Sequence, residues 1–302
     1  MKISWKWLLG LSLLLLGIWY FALKEEHYRI TFISDRPPGV IYSHILDWDS
    51  YGSNDFDSIH LNSKLPYSEI LQEVYTNDSI FSYRWVLKKH SEEETKVTAY
   101  IKDVRNGFKQ KLQVPFGNNS FIKKNTKSVK NLLEVLQMDD ERYRVHSFSD
   151  TVVAGGYCVY LPIESTVEAK AKNMLINIAT IMEYINKNEI ELQGDPFLEV
   201  TKWDKERERI SFNFCFPIEQ SDSIPTNQQL KFKTVQPFRA LKVDFNGNYR
   251  ISNKAWYYLL DHAKNKKLEV VELPFEVYLD DPHVGGNPLN WKAHILLPYK
   301  EN

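Results

Sequence analysis

Along this chain the spacing of apolar side chains changes period several times, and each change marks an element. Residues Trp7 to Leu23 (WLLGLSLLLLGIWYFAL) carry no charge. A run of that length predicts a helix just able to span a thin hydrocarbon core. His27 to Ser34 alternates apolar and polar positions and predicts a strand. DRPPG, Asp35 to Gly39, breaks it, and Val40 to Trp48 predicts a short helix. Four short strands are expected next, over Ser68 to Tyr75, Ser79 to Lys88, Thr95 to Val104 and Phe108 to Val114. Charged or Asn/Asp/Gly turns separate them. Ser120 to Met138 then carries Val129, Leu132, Leu133 and Leu136 on one face of a long helix.

The remainder repeats one pattern twice. Gly194 to Ile218 and Leu273 to Tyr299 each contain Pro-Phe, a Glu-Val strand, a polar turn, a second strand and a Pro near its end. A helical pattern precedes each: Val167 to Ile185, with Ala171, Met174, Leu175, Ile178, Ile181, Met182 and Ile185 on one face, and Ile251 to Ala263, with Trp256, Leu259, Leu260 and Ala263. A strand precedes each helix: Tyr143 to Leu161, broken at Gly155-Gly156, and Lys231 to Phe245. Strand–helix–strand–strand thus occurs twice, which is internal evidence for a pseudo-two-fold domain. The expected organisation is a membrane anchor over 1–25 and domains over 27–142 and 143–302.

Composition changes this picture little. The chain has 302 residues, 43% hydrophobic and 25% charged, with 38 basic and 39 acidic side chains. A net charge of -1 offers no electrostatic footprint for nucleic acid, and no nucleic-acid partner is expected. Cys158 and Cys215 are too few for a disulfide framework and lack metal-ligand spacing, so they read as buried thiols. Asp280, Asp281, His283 and Asn287 read as a charged turn with a Gly-Gly bend rather than as a metal site. No metal and no cofactor are expected.

Lys2 and Lys6 precede the apolar run, and Trp5, Trp7, Trp19 and Tyr20 lie near its ends, where amphipathic rings prefer the interface. The reading is an uncleaved single-pass anchor through residues 7–23, with the bulk of the chain outside the cytoplasm. A cleaved signal peptide is the rival, but Tyr20, Phe21 and Leu23 stand where small residues would be needed. A buried core helix is the other alternative.

The order strand, helix, antiparallel strands, long terminal helix over 27–142 resembles the START-like, or SRPBCC, helix-grip fold. Local echoes are LDW (Leu46 to Trp48), TKVTAYI (Thr95 to Ile101) and the final helix; the usual Trp-Pro continuation is missing. The resemblance implies a cavity between sheet and terminal helix. His44 and Trp48 are candidates to face it, with core or surface packing as the plainer reading.

In the second domain, FNGNYRISNKAWYYLLDH (Phe245 to His262) resembles the Gly-x-Tyr element of the GyrI-like, or AraC-type effector-binding, family. LPFEVYLDDP (Leu273 to Pro282) resembles that family's Glu-x-Tyr-x-x-Asp-Pro strand through Glu276, Tyr278, Asp281 and Pro282. HILLPY (His294 to Tyr299) resembles its closing strand. The family's His before Gly-x-Tyr is replaced by Asp244 or Phe245 with Asn246. The resemblance implies an aromatic-lined groove between the repeats with Glu276 at its floor and Tyr278, Tyr249 and Trp256 around it. A carboxylate among rings suits a hydrophobic, cationic ligand by charge and cation–π attraction. An outward-facing strand glutamate is the plainer reading for Glu276, and more so for its pseudo-equivalent Glu199, which lacks the following Tyr. The fold class expected is therefore α+β: an N-terminal transmembrane helix, a START-like domain and a pseudo-two-fold GyrI-like domain. The function expected is a membrane-anchored sensor or sequestering protein for a small molecule. The alternative is a hydrolase using Glu276 as general acid/base, with Tyr278 or Tyr249 orienting substrate.

Overall fold

The structure is a computed structural model that describes residues 5–50, 56–117, 119–221 and 224–300; Lys2, one of the expected flanking charges, lies outside them. The chain divides into two compact units, Met1–Leu136 and Gln137–Asn302.

The first unit begins with helix α1 (Trp5–Ile18), which continues through a wider turn over Trp19–Leu23. These 19 residues are long and apolar enough to cross a membrane by length and composition, and none is buried. Strand β1 (Tyr28–Ser34) and helix α2 (Pro38–Leu46) follow, the helix starting on Pro38, whose fixed φ suits a first turn. Then come β2 (Ser58–Leu65), β3 (Glu69–Tyr75), β4 (Ile80–Lys89) and β5 (Thr95–Asp103). They form one antiparallel sheet in the order β1-β5-β4-β3-β2. Helix α3 (Gly107–Gln113) and a 3-10 turn at Val114–Phe116 lead to the long helix α4 (Ser120–Gln137). Phe121, Val129, Leu132 and Leu136 of α4 share a core with Val74, Phe81, Trp85, Val97 and Ile101 of the sheet. Tyr83 reinforces that contact by donating its hydroxyl to Asn125 on α4.

Two points differ from the expectations, and the plainer reading of Trp48 and His44 as packed residues holds. Phe108 to Val114 is helix, not strand. Its inward position is polar: Gln110 is buried and donates to Asp103 Oδ2 at 3.0 Å, while Phe108 and Leu112 face out. Strand β2 was not expected, although Ile59, Leu61 and Leu65 alternate with polar residues; it is an edge strand whose apolar side chains Leu61 and Leu65 stay exposed. Trp48 packs in the core, edge-on to Tyr83 and Trp85 at 5.0 and 5.2 Å, and His44 is buried with it.

The second unit opens with one short turn of helix, α5 (Asp139–Arg142), and then alternates β6 (Tyr143–Val153), β7 (Gly156–Thr166), α6 (Lys170–Lys187), β8 (Phe197–Asp204) and β9 (Arg209–Pro217) with β10 (Lys231–Val235), β11 (Phe238–Gly247), α7 (Lys254–Asn265), β12 (Phe275–Tyr278) and β13 (Lys292–Tyr299). All eight strands join one antiparallel sheet, in the order β10-β7-β9-β8-β12-β13-β11-β6. The repeats β7-α6-β8-β9 and β11-α7-β12-β13 meet where β8 pairs with β12. Each leading strand crosses to the other repeat: β6 pairs with β11, and β10 with β7. The crossing explains the expected break at Gly155-Gly156. Gly155 has φ +76°, and a Cβ there would lie 2.2 Å from the carbonyl oxygen of Val235, so only glycine fits.

Both helices contribute to one core. Met174, Ile181 and Ile185 of α6 and Ala255, Trp256, Leu259 and Ala263 of α7 pack with Leu198, Val200, Phe212, Val243, Ile295 and Leu297. A smaller cluster of Cys158, Phe197, Cys215, Ala240, Phe275 and Leu296 contains none of these helix residues, and strand alternation puts it on the other face. Both cysteines are free and buried in it.

Candidate functional site

Strand β12 is only four residues long, yet it carries a fully buried carboxylate, Glu276. Alternation places Glu276 on one face with Tyr278, and Phe275 with Val277 on the other. A groove floored by Glu276 and Tyr278 would leave Val277 under a helix, and the structure has the two faces the other way round. Tyr278 belongs to the helix-covered core and Val277 packs against the small cluster opposite.

Glu276 has no exposed surface, and each of its oxygens is engaged. Oε1 accepts from Lys170 Nζ and from Trp256 Nε1, both at 2.6 Å. Oε2 accepts from Lys170 Nζ at 2.7 Å, Tyr278 OH at 2.6 Å and Ser252 Oγ at 2.8 Å. A carboxylate offers about four lone-pair positions, and here they are filled. General acid/base work by Glu276, like ligand binding there, requires one of these donors to leave the carboxylate.

Lys170 is the partner that sequence reasoning missed. It is the first residue of α6 and is itself fully buried. A helix N-terminus is a poor place for a cation, since the macrodipole is positive there. Glu276 compensates, as do Ser252 Oγ, which accepts from Nζ at 2.6 Å, and the Trp256 ring, whose centroid lies 5.2 Å from Nζ. Burial pulls the Lys170 ammonium below its ordinary pKa while the carboxylate pulls it back up. The Tyr278 hydroxyl is pushed well above its ordinary value, by burial first and by Glu276 second.

The sequence candidates divide into two layers. Tyr278 and Trp256 touch Glu276 directly. Tyr249 stands behind them, its ring 4.8 Å from that of Tyr278, and its hydroxyl donates to the Lys292 carbonyl at 2.6 Å. It ties down the segment between β12 and β13 and reaches the carboxylate through its neighbours, the Tyr278 ring and Ser252, whose Oγ lies 2.9 Å from the Tyr249 carbonyl oxygen. The Gly-x-Tyr element that presents it needs its glycine for a steric reason. Gly247 has φ +155°, and a Cβ would sit 2.7 Å from Cβ of Tyr143. Glu199 lies on the opposite face, ion-paired to Lys233 and accepting from Asn213 Nδ2 at 2.7 Å.

Residues 166–300 match the family model described as the GyrI-like small molecule binding domain. That match lies within the second unit and covers somewhat under half of the chain. No curated protein matches the chain. Among solved structures it is similar to the EcmrR–DNA complex (13% identity over 64% of this chain and 71% of that one, TM-score 0.45). It is also similar to SAV2435 bound to tetraphenylphosphonium (11%, 51% and 94%, 0.36) and to a hydrolase from Listeria innocua (15%, 51% and 92%, 0.33).

Proposed function

We propose that this protein is a membrane-anchored small-molecule-binding protein, a sensor or sequestering module, whose second unit takes a hydrophobic ammonium compound at Glu276. One observation carries the reading: an ammonium already sits there. Lys170 Nζ rests on the carboxylate, on the Ser252 hydroxyl and over the Trp256 ring, which are the contacts a ligand cation would seek. The side chain of Lys170 is a tethered occupant, and a ligand enters by taking its place as α6 yields. Tyr278 and Trp256 then orient the ligand and Tyr249 backs them. A ligand must repay the loss of the internal pair, so the domain responds only to molecules that match carboxylate and rings together.

The helix over Trp5–Leu23 supports the anchor: it is 19 residues long, apolar and without a buried residue. At ~1.5 Å per residue it reaches close to the hydrocarbon thickness. The first unit reads as a START-like domain, supported by a five-stranded antiparallel sheet packed on a long terminal helix.

The test is a thermal-shift screen of hydrophobic ammonium compounds against the full chain, Lys170→Ala, and Lys170→Ala with Glu276→Gln. Ligands of this site should stabilise Lys170→Ala most and the double variant least. Compounds that stabilise all three equally bind elsewhere and contradict the reading.

A further inference from the structure

Helix α3 of the first unit exposes an unusually apolar face. Phe108 and Leu112, one turn apart on α3, are 71% and 46% exposed, and Phe116 in the 3-10 turn that follows is 88% exposed. Val104, just before the helix, is 45% exposed. Three large apolar side chains on one short segment are a patch, not scattered surface residues.

The inner side of α3 is fastened. Gln110 is buried and donates to Asp103, whose Oδ1 also accepts from the backbone N–H of Asn106 at 2.9 Å and from Ser79. Asn119 donates to Gln110 Oε1 at 3.1 Å. The orientation of the helix is thus set by a buried polar network, and its apolar side is held outward.

The same segment is joined to the end of the apolar N-terminal helix. Tyr20 OH donates to the Lys111 carbonyl at 2.9 Å, Lys111 Nζ donates to the Phe21 carbonyl at 2.8 Å, and the rings of Phe21 and Phe108 lie 6.2 Å apart. The patch therefore continues the apolar surface of Trp5–Leu23 at the level where that helix ends. Basic side chains lie close to it in the chain: Lys24 just after the apolar helix, Arg105 just before α3 and Lys109 on it; Lys123, Lys127 and Lys130 are exposed on the following helix α4. Glu25 is exposed among them, while Glu26 is paired with Arg84.

We propose that Phe108 and Leu112 of α3, with Phe116 of the 3-10 turn that follows, lie in the interfacial layer of an anionic bilayer, the one that Trp5–Leu23 crosses. The inference rests on the anchor reading above. Aromatic and leucine side chains flanked by lysines suit this layer: rings and methyls enter the headgroup–acyl boundary and ammonium groups meet lipid phosphates. The first unit would then be held against the membrane at two places, which fixes its orientation instead of leaving it swinging on a single helix.

The experiment uses the full chain in vesicles of phosphatidylcholine and phosphatidylglycerol. Both native cysteines are buried, so a new exposed cysteine accepts a polarity-sensitive thiol dye selectively. Phe116→Cys reports on the patch. Ser91→Cys is the control, because it lies just beyond Thr95 at the end of the sheet away from Tyr28. The dye at 116 should shift to the blue on reconstitution and be quenched by lipids brominated near the interface, and the dye at 91 should do neither. A chain that floats with vesicles while the dye at 116 stays water-like overturns the proposal and leaves the anchor intact. A blue shift without lipid quenching means a protein covers the face, which also overturns it. A chain that fails to float removes the anchor reading and this proposal together.

Discussion

Lys170 and Glu276, 106 positions apart in sequence, form an ion pair at 2.6 Å with no solvent-exposed surface on either side chain. Such a pair is costly to assemble and costlier to halve. Desolvating both ions nearly cancels their attraction, but removing one leaves a buried unpaired charge, at a cost of about 3–5 kcal/mol. Lys170→Met and Glu276→Gln should each destabilise the second unit by about that much. The double variant should lose distinctly less than the sum, since neither charge is then stranded. Urea denaturation of the four chains measures the coupling; strictly additive losses would mean the two groups do not share one site.

The crossing of β6 into β7 depends on Gly155. Alanine there must hold a positive φ and push its methyl against the Val235 carbonyl. A cost of roughly 2–4 kcal/mol is expected for Gly155→Ala, against well under 1 kcal/mol for Val152→Ala on a nearby exposed site. Thermal unfolding of both variants makes the comparison. Equal melting temperatures would show that the bend tolerates a side chain.

His27 gives the first unit a pH dependence. It is buried, its Nδ1 accepts from the backbone N–H of Asp103 at 3.0 Å, and the ring is therefore the neutral Nε2-protonated tautomer. Burial, the largest influence, lowers its pKa to about 4, with Asp103 opposing and Lys111, Lys102 and Lys24 adding to the shift. Between about 6.5 and 4 the unfolded chain binds the proton that the folded chain refuses, so stability falls as pH falls through that window. At pH 5 the loss relative to pH 7.5 should be about 2 kcal/mol. Denaturant midpoints from pH 7.5 to 4.5 test this, and His27→Gln should flatten the profile. A wild-type profile equally flat would refute the assignment.

Several of these features were legible in the sequence because they rest on local period or on a steric demand. The repeated Pro-Phe–Glu-Val units, the helix faces and the break at Gly155-Gly156 all belong to that kind. The pairing of Glu276 with Tyr278 followed from strand alternation. Lys170 was invisible, since a lysine opening an amphipathic helix looks like any solvated lysine until the sheet brings a carboxylate beneath it. The reversed faces of β12 had the same cause: Phe275 and Val277 look like the core side, and only the burial of Glu276 by α6 and α7 shows that both faces are covered. Strand β2 and helix α3 escaped for the opposite reason, exposed apolar residues in one and a buried polar anchor in the other.

The central claim is that the site at Glu276 is a seat for an ammonium group and that Lys170 fills it. Lys170→Ala removes the equivalent of n-propylammonium and leaves Glu276, Ser252 and Trp256 in place. The decisive measurement is the melting temperature of Lys170→Ala and of the wild-type chain as n-propylammonium chloride is added, with n-propanol at equal concentration as the neutral isostere. The account predicts a saturable rise for Lys170→Ala with the ammonium alone and none for the wild type. A folded Lys170→Ala chain that responds no more to n-propylammonium than to n-propanol would contradict it.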